Sequence, residues 1–361
     1  MYDQNTEKVD IMSLTPEELE ELVVSVGEKK YRAAQIFPQL HKGLSLDEMT
    51  NIGKATREKL AQVSYCHIPK IKTRLVSSVD GTVKYLFELR DGNCVESVVM
   101  EYLHGLTICI SSQVGCRMGC AFCASTIGGR VRDLTPGELL GQVVAAQKDS
   151  GKRISNIVMM GIGEPLDNYD NVMKFLRLVN DDRGICIGYR HISLSSCGVV
   201  DKIRRLANEN LPITLSISLH AADDDTRSSI MPINRKYCIA ELLSACKYFY
   251  DKTGRRISFE YTLIHGKNDS VKDAEKLASV LNGALRPNRE SFPLHVNLIP
   301  VNEVTEREYK SPAKASIDSF ASVLEKKGIR ATVRRKLGPD INASCGQLRR
   351  ADNEKKNSND T

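Results

Sequence analysis

The chain has 361 residues, 41% hydrophobic and 27% charged, with a net charge of +6. That composition fits a soluble globular protein with room for one large domain and one small one. It holds no apolar run long enough to span a membrane, and the polar opening MYDQNTEKVD lacks the basic start and apolar centre of a signal peptide. A cytoplasmic protein with no membrane partner is expected. Its eleven cysteines are then ligands, catalysts or small buried hydrophobes rather than a disulfide scaffold. The modest positive charge permits an RNA partner.

Residues 1–10 are polar, and disorder is expected there. Thr15-Pro16-Glu17-Glu18 predicts a helix start, with Thr15 as N-cap, Pro16 in the first turn and Glu18 set for a capping box. Leu14, Leu19, Leu22 and Val23 form its apolar stripe, and Gly27 ends it. Further helices are predicted near Lys30 to His41, with Ala33, Ile36, Phe37 and Leu40 on one face, and from about Thr56 to Val63. Residues 1–66 thus make a helical accessory unit. It is either a packing appendage or, given Lys29, Lys30, Arg32, His41 and Lys42, an RNA-gripping module. In residues 67–101 the turn dipeptides Asp80-Gly81 and Asp91-Gly92 break strands into an antiparallel β linker.

From 102 to 340 strands and helices alternate. Strand candidates are Leu106–Ser111, Asn156–Met160, His191–Leu194, Ile213–Ser218, Ile257–Leu263, Leu294–Ile299 and Ile329–Val333. Helices are predicted from the capping pattern Leu134-Thr135-Pro136-Gly137-Glu138 and over Tyr169–Val179, Val199–Asn208, Ile239–Lys252, Val271–Asn282 and Ala313–Lys327. Repeated βα units argue for an α/β protein with a parallel sheet, barrel or doubly wound. No GxGxxG follows a strand and opens a helix, so a dinucleotide fold lacks its fingerprint. Residues 341–361 are a loop and then a charged tail, expected to be loose from Arg349.

The chemistry concentrates in Cys109 to Cys123, CISSQVGCRMGCAFC. Cys116, Cys120 and Cys123 stand at C-x3-C-x2-C spacing, so three thiolates can converge from one tight loop. Three thiolates fill three corners of a four-iron cluster and leave one iron open for a substrate. A zinc site or plain core cysteines are the alternatives; zinc needs a fourth ligand, and neither His104 nor His191 has zinc-finger spacing. Other candidates follow strands: Gly163 and Glu164 in MGIGEP, Ser195 in LSSCG, and Ser218-Leu219-His220. The glycines of MGIGEP would let backbone approach a ligand, and Glu164 could hold an ammonium. Alone, His220 reads as a capped or core histidine, and Glu96, in CVESVV, as an exposed strand residue. Cys345 lies among polar and glycine neighbours in GPDINASCGQL, unlike a buried structural cysteine. The other cysteines, Cys66, Cys94, Cys186, Cys197, Cys238 and Cys246, read as buried hydrophobes or solvent-facing thiols.

The CxxxCxxC run, with Phe122 before its last cysteine, resembles the signature of the radical S-adenosylmethionine (SAM) enzymes. The surrounding SSQVGC, Cys109 upstream, GEP, SLHA, the MPIN of Met231–Asn234 and the CGQL end resemble the RlmN/Cfr group of that superfamily, from about Leu14 to Leu348. The resemblance implies a partial (β/α)6 radical SAM barrel over 102–340, with the helical accessory domain and β-meander linker ahead of it and the methyl-accepting cysteine in the C-terminal loop. It implies one 4Fe-4S cluster on Cys116, Cys120 and Cys123, with SAM contacts from Gly163, Glu164, Ser195, Ser218, Leu219, His220 and Asn302. Ser196-Cys197 and Glu303 depart from the group's usual residues in two of those loops. By the same resemblance Cys345 is methylated by one SAM, a second SAM is cleaved at the cluster, and the methyl carbon joins adenine. Cys109 then resolves the adduct through a transient disulfide, and Glu96 takes or relays the proton. GEP and the N-terminal module favour the RlmN side of the group. That side methylates carbon 2 of an adenosine in 23S rRNA, at the peptidyl transferase centre, and of one in the tRNA anticodon loop. It implies an electron donor such as flavodoxin or ferredoxin, and a monomer. The rival readings are Cfr-type methylation of carbon 8, which gives antibiotic resistance, a radical SAM lyase or activase, and a zinc-bearing RNA-binding protein.

Overall fold

The structure is a computed structural model and describes residues 8–287, 291–302, 307–343 and 348. Val9–Asp10 (β1) pairs in parallel with Ser64–Tyr65 (β2) and so closes off the N-terminal helices Pro16–Ser25 (α1), Tyr31–His41 (α2) and Lys54–Val63 (α3). The polar start therefore contributes a strand at Val9–Asp10, where disorder was expected; residues 1–7 lie outside the described residues. Pairing with β2 overrides the weak local signal. The capping box at α1 is present: the Glu18 amide donates to Thr15 Oγ1 (3.3 Å), and the Thr15 amide donates to Glu18 Oε2 (2.8 Å).

Lys70–Val76 (β3), Val83–Glu88 (β4) and Cys94–Tyr102 (β5) form the meander, turning at Asp80-Gly81 and Asp91-Gly92. β5 then pairs antiparallel with Gly105–Cys109 (β6). The meander is thus a continuation of the main sheet. Gln113–Gly115 (β7) and Arg130–Asp133 (β8) form a small ribbon around the cysteine loop. Next come Pro136–Ser150 (α4), Ile154–Met159 (β9), Tyr169–Asn180 (α5), Ile192–Ser196 (β10), Val200–Asn208 (α6) and Thr214–Ser218 (β11). Asp224–Ile230 (α7), Ile239–Thr253 (α8), Ile257–Leu263 (β12), Val271–Leu285 (α9), His295–Pro300 (β13), Lys314–Lys326 (α10) and Arg330–Val333 (β14) complete the order.

One ten-stranded sheet results, ordered β14-β13-β12-β11-β10-β9-β6-β5-β4-β3. From β6 to β14 neighbouring strands are parallel, each crossover carrying at least one helix, as βα repetition requires. Its two edges do not pair, so the sheet is the open, partial barrel expected. Side chains bridge the gap instead: the turn after β14 reaches the β3–β4 turn, where the Gly338 amide donates to Asp80 (2.9 Å). No helix among the described residues is long and apolar enough to cross a membrane.

The N-terminal helices share a continuous apolar core with the barrel helices, Phe37 and Leu40 lying in one cluster with Val143, Phe175 and Val179. His41 sits at this junction, 4% exposed. Its Nδ1 accepts the Ile185 amide at 3.1 Å, which fixes it as the acceptor nitrogen. Burial pushes its pKa down from 6.5 to about 4, Asp181 opposing weakly. Unfolding must therefore take up a proton between those two values, and stability present above pH 6.5 is lost as pH falls toward 4. At pH 5 the loss from this ring is about 2 kcal/mol. A His41→Gln variant should show a correspondingly smaller drop in melting temperature between pH 7 and pH 5; equal drops in both proteins would refute the assignment.

Candidate active site

The cysteine loop is held by backbone contacts from several elements. The Cys116 amide donates to Gly129 O (3.0 Å), the Ala121 amide to Ile230 O (2.8 Å) and the Cys123 amide to Cys120 O (3.1 Å). Thr126 Oγ1 caps the carbonyls of Cys120 (3.2 Å) and Cys123 (2.8 Å). Gln113, fully buried, is the hub: its amide nitrogen donates to Asp133 (2.7 Å) and Asp167 (3.0 Å), and its oxygen accepts the Glu164 amide (2.9 Å). One side chain thus ties the cysteine loop, β8 and the MGIGEP turn together.

Cys116, Cys120 and Cys123 line one cavity of about 220 Å³ at the C-terminal ends of the strands. Gly163, Glu164, Ser195, Ser218 and His220 line it too, as does Cys197. Leu219 is set apart: its side chain is in the core, and its carbonyl accepts from Arg227 (3.0 Å). Asn302 lies instead on a second cavity of about 530 Å³. The two cavities share Phe122, Cys123, Met160, Thr262, Ile299 and Arg334 as a common wall.

Gly161 and Gly163 line the cavity and are also required by the protein itself. A Cβ on Gly161 would stand 2.6 Å from Ile110 O, and one on Gly163, at φ +106°, would stand 2.7 Å from the Gln113 side chain. Both carboxylate oxygens of Glu164 accept backbone amides. One accepts the Cys197 amide (2.7 Å) and the other the Leu166 amide (3.0 Å), so the carboxylate braces two loops. Burial pushes its pKa up against the pull of those amides. His220, at φ +58°, has its Nδ1 occupied by the Thr262 amide (2.9 Å), so any hydrogen bond to a ligand comes from Nε2–H. Burial holds the ring neutral, with a pKa near about 3. Cys197 is buried in an apolar cluster, as one of its two readings expected, and is part of this wall.

Glu96 is the largest departure. It is 2% exposed, not solvent-facing, and pairs with the fully buried Lys84 at 3.0 Å. The period-two alternation of β5 puts Glu96 on the same face as Val98 and Met100. Those two line the larger cavity together with Cys109, the last residue of β6 and the direct partner of Val98. Leu337 and Ala343 pack on this group. Cys345, two residues beyond Ala343, and Glu303 lie outside the described residues. Arg334, Arg335 and Lys336 line the same cavity, beside a mixed wall that carries the apolar Val98, Met100, Phe122 and Ile299. That arrangement suits a flat aromatic ring with phosphates beside it.

Arg227 was not singled out in the sequence. It is fully buried and donates to the carbonyls of Leu219 (3.0 Å), Cys197 (2.7 Å) and Ser218 (3.1 Å) and to Asn234 Oδ1 (2.9 Å). It thereby fixes the ends of β10 and β11, and the MPIN asparagine serves to orient it. The only prior signal was an arginine four residues before that motif.

The donor set fits an iron–sulfur cluster. Burial pushes the Cys116 thiol up to about 12, the Met118 amide opposing, and pushes Cys120 upward as well. Thiolates here need a cationic partner, which iron supplies. Among the described residues no three Cys, His, Asp or Glu side chains are gathered as a single ion requires. A cubane places each thiolate on a different iron, so its ligands stand further apart. Ser125 Oγ, two residues past Cys123, is buried with no hydrogen-bond partner among the described residues, leaving a donor for a cluster sulfur.

A family model of the radical SAM superfamily matches residues 110–278, and one of the ribosomal RNA large subunit methyltransferase N-terminal domain matches residues 9–66. The chain is 54% identical over 345 residues to a probable dual-specificity RNA methyltransferase RlmN of Alkaliphilus oremlandii, covering 95% of this chain and 98% of that one. The chain belongs to the RlmN family of radical SAM RNA methyltransferases. An RlmN relative from Clostridium novyi is 51% identical, covering 94% of this chain and 98% of its own. The crystal structure of a radical SAM methyltransferase from Sphaerobacter thermophilus superposes with a TM-score of 0.88 at 41% identity, covering 94% of this chain and 98% of that one. Membership of the RlmN family implies a 4Fe-4S cluster, SAM and an RNA substrate for this site.

Proposed function

We propose that this RlmN-type protein methylates carbon 2 of an adenosine in 23S rRNA, at the peptidyl transferase centre, and of an adenosine in the tRNA anticodon loop, through a methyl group carried on Cys345. The observation that carries this reading is the pair of adjoining cavities. The smaller, lined by the three cysteines, suits cofactor; the larger, with both apolar and basic residues in its lining, suits a nucleobase.

In this reading Cys116, Cys120 and Cys123 hold the cluster, which with SAM supplies the radical chemistry that an aromatic C–H carbon needs. Gly163 and Glu164 present the turn at the end of β9 to the SAM amino group. Ser195, Ser218 and His220 offer hydroxyls and an Nε2–H along the same wall, Leu219 contributes backbone only, and Asn302 faces the adjoining cavity. The Cys345 thiolate accepts a methyl group from one SAM and remains joined through that carbon to the base after transfer. Cys109, on the inner face beside Val98, attacks the Cys345 sulfur and frees the base. Glu96, on the same face, accepts the ring proton. Two SAM molecules are used per turnover, and an electron donor of the flavodoxin or ferredoxin kind is required.

Mass mapping of 23S rRNA and tRNA from cells with and without this gene tests the reading. A 2-methyladenosine in both RNAs, lost on deletion and restored by the gene, is expected. A methyl group on carbon 8, or no change in either RNA, would overturn it.

A further inference from the structure

The β3–β4 turn and the turn at 338–342 grip each other through reciprocal carboxylates. Asp340 accepts from Ser77 Oγ (2.6 Å), the Ser78 amide (2.9 Å) and Ser78 Oγ (3.0 Å). Asp80 accepts from the Gly338 amide (2.9 Å) in return. Gly338 (φ +55°) and Asn342 (φ +45°) are both left-handed, so the turn's course is set at each end. Beneath it the Lys84 ammonium donates to Asn342 O (2.9 Å) and pairs with Glu96 (3.0 Å).

These contacts are not needed to build the meander, whose ladder runs from Lys70 opposite Glu88 to Val76 opposite Val83 by backbone bonds. Nor is a buried ammonium a cheap way to fill a core. Removing two charges from water costs several kcal/mol per ion, and an apolar side chain of similar volume often does as well. What Lys84 does that an apolar residue cannot is to hold a carboxylate and a chain segment on one atom. Both partners belong to the larger cavity: Glu96 shares a face with its lining residues, and Asn342 and Ala343 line it.

We propose that Lys84, with the Asp80–Asp340 clasp, is a positioning device for methyl transfer, fixing on one ammonium both Glu96 and the carbonyl three residues ahead of Cys345. The proposal rests on the reading of Cys345 as the methyl carrier. With Asn342 pinned, the tether to Cys345 is three residues long. With the clasp and the Lys84 bond both released, the last strand anchor is the Arg334 amide on Leu298 O (2.8 Å). The tether is then eleven residues rather than three, and effective concentration falls as roughly the −3/2 power of length, about sevenfold.

The test is the Asp80→Ala/Asp340→Ala double variant of the full-length, cluster-loaded protein, with Lys84→Met beside it. The double change lies at surface turns, so it keeps the proposal testable should Lys84→Met fail to fold. Expected for the double variant, in which Lys84 alone still holds Asn342 O, are unchanged 5′-deoxyadenosine formation without RNA, a two- to threefold fall in kcat for RNA methylation, and a KM for RNA within twofold; adding Lys84→Met to it should bring the fall to the full five- to tenfold. Hydrogen exchange of residues 338–343 should also quicken. A merely structural turn, or one that shapes the RNA surface, would move KM instead. An unchanged kcat, or a fall confined to KM, overturns the clasp. Cys345→Ala is run in parallel to keep the two readings apart. If it still methylates RNA, the underlying assignment fails; if it is inactive while the double variant keeps full kcat, only the clasp fails.

Discussion

Replacing Cys116, Cys120 or Cys123 by alanine is expected to take iron content and SAM cleavage to background. Protein purified without oxygen should be brown and carry about four irons per chain, as a cysteine-ligated cubane does. The expectation is sharp because the loop is held without its sulfurs. Backbone bonds from Cys116 to Gly129 and from Ala121 to Ile230, and the Thr126 cap, all survive a change to alanine. Far-ultraviolet circular dichroism should therefore stay near that of the parent while colour is lost. Cys116 and Cys120, held in a cavity that pushes them toward their neutral form, have little to gain from burial unless a cation claims them. An alanine triple variant that retains its full complement of iron would sink the assignment.

Much of the fold was legible because its signals are local. The alternation of apolar strands with capped helices survives into the structure almost element for element, and Thr15-Pro16 and Thr135-Pro136 both open helices with complete capping boxes. Asp80-Gly81 and Asp91-Gly92 turn the meander as such dipeptides do. What escaped was short or non-local. α7 spans only Asp224–Ile230, too few residues for an apolar stripe, and β7 and β8 exist only as each other's partners. Glu96 looked exposed because its partner Lys84 is twelve positions away, across a turn. Gln113 and Arg227 carry the site's internal framing, yet a glutamine or arginine in a sequence gives no hint of the separate loops and strand ends that meet on it. The glycines of MGIGEP were visible; the surface they accommodate, Ile110 to Gln113, was not. The resemblance located the chemistry of Cys345 and Cys109, and of these two only Cys109 lies among the described residues.

Those two thiols should fail in different ways. Cys345→Ala should give neither methylated protein nor RNA product, since the acceptor is gone. Cys109→Ala should still take a methyl group on Cys345 and still join RNA, but should not release it. The arrested species is a covalent protein–RNA adduct, stable to denaturant and removed by nuclease. The surroundings of Cys109 make the block severe. The residue is 4% exposed, at the end of β6, packed with Val98, Met100 and Ala343 on the inner wall of the larger cavity. A small thiol from solvent reaches that position poorly once RNA covers the cavity, so no substitute nucleophile stands ready. Without an attacking sulfur the thioether between Cys345 and the transferred carbon has no efficient route to cleavage. Turnover should fall by at least about a thousandfold, the scale of losing a covalent catalyst's working partner. Denaturing electrophoresis with labelled RNA reads the outcome directly: a retarded band for Cys109→Ala and none for Cys345→Ala. Normal turnover by Cys109→Ala with no retarded band would mean that a different group attacks the Cys345 sulfur, and the buried thiol at the end of β6 would then be a packing residue.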